Sequence, residues 1–202
     1  GGNEHEETTH FSIIDRWGNV VSNTYTLNGW FGSGVTVTGA GFLLNNEMDD
    51  FAIKPGHPNL YGLVGSDANA IQPGKRMLSS MTPTIVLRGG EPFMVVGAPG
   101  GSTIPTAVLQ VISNVIDFNM PLERAVIEGR VHAQYLPDEI AIEEGALAEP
   151  VVEALERLGH KVVVRKPIAN IQAILIQNGR RGGDGRLEGC SDTRGNGRAI
   201  GY

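Results

Sequence analysis

The sequence contains a single cysteine, Cys190, among its 202 residues. One thiol cannot form an intramolecular disulfide, and no Cys/His cluster has the spacing of a structural metal site. No apolar run approaches the roughly 20 residues that a membrane-spanning helix requires. A Lys/Arg-rich run is also missing and the net charge is -6, which argues against nucleic-acid binding. We therefore expect no metal, no other cofactor and no nucleic-acid partner.

What the chain does have is enough apolar sequence, 41% of its residues, to bury the core of one domain. Alternating apolar residues from Thr9 to Leu27 flank a turn at Gly18-Asn19 and predict a β-hairpin. "TPTIVLR" and "PFMVVGAP" flank "GGE" and predict a second hairpin. "GFLLNN" predicts a short buried strand or strand-like segment, whereas the Pro- and Gly-rich residues 52–77 predict a long surface loop.

After "GAPGGST" the apolar period becomes helical and predicts a helix that is buried over a broad face. The residues that carry this period are Ala107, Val108, Val111, Ile112, Val115 and Ile116. "PLERAVIEGR" and "EPVVEALERLGH" predict two more helices, the second ended by Gly159. "KVVVRK", "QAILIQNG" and "LEGCSD" then predict strands. Strand pairs followed by helices and further strands indicate a layered α+β sandwich.

Two threonines, Thr8 and Thr9, stand where the polar "GGNEHEE" meets the first strand. The simple interpretation is that β-branched residues suit the start of a strand. The chemical interpretation is that a threonine whose backbone nitrogen is freed by chain cleavage carries its own general base and can act as a nucleophile. The local pattern leaves both open.

Two further segments are also ambiguous when taken singly. The glycine turn "GAPGGST" lacks the lysine of a phosphate-binding loop, so it is either an oxyanion-stabilising pair of N–H groups or a plain tight turn. "NNEMDD" lacks the ligand spacing of an EF-hand calcium loop. Its Glu47 and Asp50, together with Asn28, would suit an ammonium group, or they form a solvated face.

Four motifs in order carry a more specific signal: "TTHFSIIDRWGNVVSNTYTLN", "GFLLNNEMDDF", "RMLSSMTPTIV" and "GAPGGS". With the C-terminal "SDTRGNGRAIGY" they resemble the small subunit of γ-glutamyltranspeptidase over nearly the whole chain. The resemblance implies an α+β fold of the N-terminal-nucleophile hydrolase type. Such a fold is a four-layer αββα sandwich, completed by a large subunit that is absent from this sequence.

The resemblance also implies roles for individual residues. Thr8 would be the nucleophile, exposed by self-cleavage of the Glu7–Thr8 bond, and Thr26 would hydrogen-bond it. Further roles follow the motifs: the substrate α-amino group would be held by Asn28, Glu47 and Asp50, the α-carboxylate by Ser79 and Ser80, and the oxyanion by Gly100 and Gly101. The long loop would be a lid with Tyr61 at its gate. Two arginines that match the family, Arg130 and Arg194, are expected to be structural or to support the residues that contact substrate.

The implied activity is hydrolysis of glutathione and related γ-glutamyl compounds, with transfer to water or to an amino acid or peptide. The implied partner is the large subunit cut from the same precursor, which supplies an arginine to the substrate α-carboxylate. We therefore expect residues 8–202 to form the small-subunit catalytic domain and to be inactive alone. Residues 1–7 would be either a joined propeptide or the tail of the large subunit.

Family membership would suggest a periplasmic or extracellular location, although no residue indicates one. Two alternatives remain at this level. A glutaryl-cephalosporin acylase would use the same fold and nucleophile, but glutaryl has no α-amino group for Asn28, Glu47 and Asp50 to hold. A non-catalytic relative would bind a γ-glutamyl ligand or a protein without turning it over.

Overall fold

The computed structural model describes residues 8–177 and 185–201. In chain order its elements are β1 (Thr8–Ile14), β2 (Val20–Thr26), β3 (Thr84–Arg88), β4 (Glu91–Gly97), α1 (Ile104–Ile116), α2 (Leu122–Ile127), β5 (Val131–Ala133), β6 (Ile140–Ile142), α3 (Glu149–Arg157), β7 (Val162–Val164), β8 (Gln172–Gln177) and β9 (Arg186–Ser191). One-turn 3-10 helices cover Glu47–Asp50, Asp67–Asn69 and Gly101–Thr103. Within the described ranges, every helix is too short or too polar to cross a membrane.

The first hairpin forms as the sequence predicts. Strands β1 and β2 are antiparallel, with Thr8 opposite Thr26 at one end and Ile14 opposite Val20 at the other. The turn closes because Asp15 accepts hydrogen bonds from two backbone N–H groups of the turn and Gly18 supplies a φ of 79°. Its geometry therefore fixes which residues of the two strands face each other.

The centre of the fold is an antiparallel sheet in the order β3-β4-β8-β9. The β1–β2 hairpin packs on one face of this sheet, while α1 and α2 pack on the other. Strand β4 lies between these layers, and its Met94, Val95 and Val96 are completely buried. The described residues thus provide two β layers and one helical layer of the expected αββα sandwich, and the predicted fold class is confirmed.

The core lies between the sheet and the helices. Five α1 residues at helical spacing are buried there: Ile104, Ala107, Val108, Val111 and Val115. Burying each large aliphatic side chain stabilises the fold by about 1.5–3 kcal/mol, so this stripe fixes α1 against the sheet. The predicted helices and the predicted strands β7, β8 and β9 are confirmed. The three-residue strands β5 and β6 are not predicted by the sequence. They form a small separate sheet with β7, in which β6 lies in the middle and pairs with both neighbours.

Most of the chain between β2 and β3 is irregular, and the predicted long loop at 52–77 is confirmed. The burial predicted for "GFLLNN" is wrong, and the segment forms no regular strand. Leu43 makes only an isolated bridge to Thr36, and Phe42 and Leu44 are 56% and 44% exposed. Gly39 and Gly41 both have positive φ, which bends the backbone and prevents an extended strand.

Candidate active site

The hydroxyl of Thr8 lies at the open end of the first hairpin. Its Oγ1 donates to Oγ1 of Thr26 at 3.2 Å, a contact made possible because the two residues face each other in the β1–β2 register. Thr26 Oγ1 in turn accepts the backbone N–H of Asn28 at 2.9 Å. A short hydrogen-bonded chain therefore runs from Thr8 through Thr26 to Asn28. Glu7, on the other side of the predicted cleavage bond, lies outside the described residues.

Asn28 is buried, with 4% of its surface exposed, and its φ of 71° is left-handed, a conformation that Asn adopts more readily than most residues. Its side-chain amide donates to the carbonyl of Asn46. The Asn46 side chain accepts the N–H of Gly29 at 2.8 Å. Asn46 thus fastens the end of β2 to the acidic segment that follows it, a role that sequence reasoning missed because an Asn within "NNEMDD" has no distinctive local pattern.

Three acidic residues follow Asn46 in one turn of 3-10 helix, Glu47, Asp49 and Asp50, which we name the acidic turn. Desolvation, followed by repulsion from the charges of Glu47 and Asp49, raises the pKa of Asp50 to about 6. Desolvation also raises the pKa of Glu47. Among the described residues, no Lys, Arg or His lies within ion-pair distance of the acidic turn. A cationic group placed beside these carboxylates would therefore be bound favourably.

Tyr61 reaches the same place from the long loop. Its hydroxyl donates to the Asn28 carbonyl at 2.6 Å. The turn that carries it is held by Asn59, whose side chain accepts the N–H groups of Tyr61 and Leu63, and by Asp49, whose carboxylate accepts the N–H of Leu60. The tyrosine therefore covers Asn28 and is anchored on the acidic turn.

Ser79 and Ser80 lie on the segment that leads into β3. Asn69 connects this region to the acidic turn, since its side chain donates to the Asp50 carbonyl at 2.7 Å and accepts the N–H of Leu78 at 3.1 Å. The hydrogen bonds of the serines themselves are local: Ser79 accepts the N–H of Met81, and the Ser80 carbonyl accepts the Thr82 hydroxyl. In the described part of the chain, no hydrogen bond joins either serine to Thr8 or to Asn28.

The glycine turn follows β4, and its Gly100 and Gly101 are both buried. Thr103 donates to the Gly100 carbonyl from its amide at 3.0 Å and from its hydroxyl at 2.7 Å. A Cβ on Gly100 would lie 2.7 Å from the Cβ of Ala169, so no larger residue fits there. Among the described residues, no acceptor takes a hydrogen bond from the N–H of Gly100 or Gly101. Two free N–H groups at a helix start can stabilise a developing negative charge.

The two family-matching arginines lie in a separate group that we name the buried ion cluster, made of Arg130, Glu143, Asp192 and Arg194. Arg130 Nη2 contacts Asp192 Oδ2 at 2.6 Å with both side chains almost fully buried. Arg194 pairs with both Glu143 and Asp192. Arg130 also donates to the carbonyls of Ile168 and Ala169. These contacts agree with the structural role that the sequence assigns to both arginines.

The family model described as gamma-glutamyltranspeptidase matches residues 1–202. The chain belongs to this family. The glutathione hydrolase proenzyme of Pseudomonas aeruginosa, a curated relative, is 56% identical in an alignment of 200 positions that covers 97% of this chain and 35% of that relative. The glutathione hydrolase proenzyme of Escherichia coli is 48% identical over 95% of this chain and 32% of its own length. The chain thus spans about a third of the length of these γ-glutamyltranspeptidase relatives.

Solved structures of γ-glutamyltranspeptidases agree with the fold. A mutant of the Helicobacter pylori enzyme is 53% identical, with a TM-score of 0.86 over 93% of this chain and 100% of the matched chain. The cephalosporin acylase of Bacillus halodurans is a more distant structural neighbour, 27% identical with a TM-score of 0.74 over 92% of this chain and 33% of that one. The sequence is therefore much more similar to the γ-glutamyltranspeptidases than to this acylase.

Proposed function

We propose that this chain is the catalytic subunit of a γ-glutamyl hydrolase and transferase that acts on glutathione-like substrates. In this proposal a precursor cuts itself between Glu7 and Thr8, residues 8–202 form the small subunit, and the remaining part of the precursor forms the large one. The family match, and the name glutathione hydrolase proenzyme carried by the relatives, support both the activity and the processing.

The observation that carries the proposal is the continuity between Thr8 and the acidic turn. The Thr8 hydroxyl pairs with Thr26, whose oxygen holds the backbone of the buried Asn28. Asn46 then ties Asn28 to carboxylates that have no cationic partner among the described residues. A nucleophile beside a site for an ammonium group suits a substrate whose α-amino group lies a few bonds from the scissile amide.

In the proposed reaction the freed α-amino group of Thr8 is the general base. Its reference pKa is about 7.7–8.0, so a sizeable fraction is neutral near pH 7 and can accept the hydroxyl proton. The Thr8 oxygen attacks the γ-carbonyl carbon and gives a tetrahedral oxyanion that the N–H groups of Gly100 and Gly101 stabilise. Losing one such donor typically costs about 3–4 kcal/mol.

The C–N bond then breaks, and the ammonium of Thr8 returns the proton to the leaving amine. This step leaves a γ-glutamyl ester on Thr8. Water attacks the ester carbonyl to complete hydrolysis, whereas an amino acid or peptide amine completes transfer. In both cases the attacking group gives its proton to the Thr8 amine, and the Thr8 oxygen leaves with a proton as the free hydroxyl, so the enzyme is regenerated.

Substrate binding is assigned to the remaining residues. Asn28, Glu47 and Asp50 would hold the α-amino group, and the raised pKa of Asp50, caused by desolvation and the neighbouring carboxylates, fits a group that a bound cation would stabilise. Ser79 and Ser80 would hold the α-carboxylate together with an arginine of the large subunit. Tyr61, bonded to the Asn28 carbonyl, would close the site as part of the lid.

A pair of neighbouring substitutions in the full precursor tests the proposal. Thr8→Ala should abolish both self-cleavage, measured by mass spectrometry of the denatured protein, and turnover of a γ-glutamyl anilide. Thr9→Ala changes the adjacent and exposed threonine and should preserve both activities. A Thr8→Ala protein that still cuts itself and turns over the anilide would show that Thr8 is not the nucleophile.

Assays with different substrates distinguish the two other candidate functions, a glutaryl acylase and a non-catalytic relative. A glutaryl acylase would turn over a glutaryl anilide better than the γ-glutamyl anilide, and we expect the opposite ratio of kcat/KM because the acidic turn has no use in binding glutaryl. A non-catalytic relative would bind a γ-glutamyl compound in its fully processed form without releasing the amine. We expect release of the amine at each processed site.

A further inference from the structure

One face of the first hairpin is an unusual polar surface. Three residues of β1 alternate along this face, and each is opposite a hydroxyl residue of β2; the pairs are Thr8 with Thr26, His10 with Thr24, and Ser12 with Ser22. Two of the hydroxyls reach the central sheet, since Ser12 donates to the Gln172 carbonyl at 3.3 Å and Ser22 to the Val96 carbonyl at 3.1 Å. The layer between hairpin and sheet is therefore held by hydroxyls and one imidazole.

The imidazole of His10 is buried within this layer, with 7% of the residue exposed. Its Nδ1 lies 2.7 Å from Thr24 Oγ1 and its Nε2 lies 3.1 Å from Ser12 Oγ. Both ring nitrogens are thus engaged, one as donor and one as acceptor. Desolvation lowers the pKa of His10 to about 4, so the ring is neutral near pH 7. A neutral ring with both nitrogens bonded is fixed in orientation and unsuited to exchange protons with substrate.

Gly97 of β4 lies directly beneath this ring. A Cβ on Gly97 would lie 2.2 Å from Cε1, 2.5 Å from Nδ1 and 2.8 Å from Nε2 of His10. The backbone of Gly97 does not have the positive φ that would itself demand glycine. The absence of a side chain there is therefore explained by the imidazole, which occupies the volume that the side chain would fill.

The His10–Gly97 contact joins the two parts of the proposed site. His10 is two residues beyond Thr8 on β1, and Gly97 is the last residue of β4, three before Gly100. Two residues of a strand span roughly 6.6–6.8 Å. A change in the distance between the hairpin and the central sheet at His10 therefore also moves the Thr8 hydroxyl. Gln172, which accepts the Ser12 hydroxyl, is the register partner of Gly97 in β8. The hairpin is thus fixed to the sheet beside the strand that leads into the glycine turn.

We propose that His10 is a positioning residue: by packing on Gly97, it sets the distance between the Thr8 hydroxyl and the N–H groups of Gly100 and Gly101. This inference rests on the proposed function of Thr8 and of the glycine turn. A misplacement of about 1 Å between reacting groups can cost 100-fold in rate. The contact therefore acts on the chemical step and leaves the binding of the γ-glutamyl group at the acidic turn unchanged.

A double-mutant cycle on the precursor tests this proposal. The variants are Gly97→Ala, His10→Ala and the double variant, and kcat is expressed per processed site counted by mass spectrometry. Gly97→Ala should lower kcat for the γ-glutamyl anilide about 10- to 100-fold, because the new methyl displaces the ring, while KM changes less than about twofold. The double variant should be no slower than His10→Ala, since the clash requires the imidazole.

A conservative substitution separates positioning from simple packing. His10→Asn retains a polar group near the Nδ1 position and can bond to Thr24, so it should recover more kcat than His10→Leu, which fills the space without hydrogen bonds. His160→Ala, at an exposed histidine, is the control and should leave kcat unchanged. His10→Asn and His10→Leu also serve if Gly97→Ala does not fold, because neither adds a group to β4.

The possible outcomes are distinct. Multiplicative losses of kcat in the cycle, or equal activity of His10→Asn and His10→Leu, would overturn the role of His10 while an active wild-type enzyme upheld the proposed function. Parallel increases of KM in all variants would also overturn it, because they would place the effect on binding. A processed wild-type enzyme without γ-glutamyl turnover would overturn the proposed function and this inference with it.

Discussion

Two groups of carboxylates in this chain respond to burial in opposite ways. In the buried ion cluster, desolvation acts to raise the pKa of Asp192, but the charge of Arg130 and the N–H donors around it outweigh this effect and the pKa is lowered. In the acidic turn, desolvation and the neighbouring carboxylates act together, and the pKa of Asp50 rises to about 6. The first group is electrostatically complete within the chain, whereas the second lacks a cation among the described residues.

Compensation of charge is the chemical difference between the structural ion cluster and the proposed binding site at the acidic turn. Glu143 and Asp192 each accept hydrogen bonds from arginine and from backbone N–H groups, so their charges are compensated in the folded protein. Within the described part of the chain, the partly desolvated carboxylates of Glu47 and Asp50 have no arginine partner and accept no backbone N–H, and in the same turn Asp49 accepts one N–H, that of Leu60. A protein retains that unfavourable arrangement at functional sites, where a ligand supplies the missing charge.

The largest expected effect comes from breaking the buried ion cluster, whose charges are compensated within the chain. Asp192→Asn leaves the buried Arg130 without its charged partner, and breaking a buried ion pair in this way costs about 3–5 kcal/mol. The free energy of unfolding of the processed protein, measured by urea denaturation, should fall by that amount. Glu153→Gln removes an exposed pair with Arg157 and should cost less than about 1 kcal/mol. Equal losses for the two variants would contradict the distinction.

A substitution in the acidic turn should lower catalytic activity, whereas one in the buried ion cluster lowers stability. Asp50→Asn removes one charge from the proposed ammonium site, and losing the partner of a desolvated charge costs about 2–4 kcal/mol, or roughly 30- to 1000-fold in kcat/KM for the γ-glutamyl anilide. Turnover of a glutaryl anilide, which has no ammonium, should change by less than about threefold. The control is Glu144→Gln, at an exposed carboxylate. Equal losses for both substrates would refute the assignment of Asp50.

Because the pKa of Asp50 is raised, activity that depends on the acidic turn should change with pH in the range near that pKa. Above about pH 6 the free enzyme carries the ionised carboxylate that binds an ammonium group, and below that pH the carboxyl is protonated. Protonation of the Thr8 amine already lowers kcat/KM for the γ-glutamyl anilide below its own pKa, and below about pH 6 the protonation of Asp50 should add a further loss of about tenfold per pH unit. Asp50→Asn should keep the loss due to the Thr8 amine and lack the additional one. A second, steeper limb with the same midpoint near pH 6 in the variant would assign that titration to another group.

Removing the unpaired charge should stabilise the fold by a small amount. The pKa of Asp50 is raised on folding, so its favourable contribution to stability is present below its ordinary value and is lost as pH rises through about 6. At pH 8 the Asp50→Asn protein should be more stable than the wild type by about 1 kcal/mol, a figure reduced for solvent screening of a half-buried group. The difference should disappear near pH 4, and a destabilised variant at pH 8 would contradict the reasoning.

Local periodicity predicted the parts of the fold that depend on local patterns. The first hairpin follows from alternation and a Gly-containing turn, and α1 from its buried stripe. Strands β5 and β6 were not predicted because three residues are too short to show a period, whereas the equally short β7 consists of three consecutive valines, which favour a strand. The apolar segment "GFLLNN" predicted burial, yet Phe42 is exposed in this chain, because apolar content does not reveal which surface will cover a segment.

The site was predictable only in part. Thr8, Asn28 and Asp50 were assigned by resemblance to a family, since propensity explains a threonine at a strand start equally well. Asn46 and Asn69 escaped prediction because their partners, Gly29 and the Asp50 carbonyl, lie 17 and 19 residues away in the chain. The packing of His10 on Gly97 likewise depends on two layers meeting, which no local pattern encodes.

The most direct test of the central claim is to trap the covalent intermediate. Processed enzyme is mixed with a γ-glutamyl anilide, quenched in acid after a few milliseconds, and analysed by intact and peptide mass spectrometry. We predict a small subunit that begins at Thr8 and carries one γ-glutamyl group on the N-terminal peptide, absent from a Thr8→Ala sample. A γ-glutamyl group on any other residue, or an active enzyme whose chain still joins Glu7 to Thr8, would contradict the account.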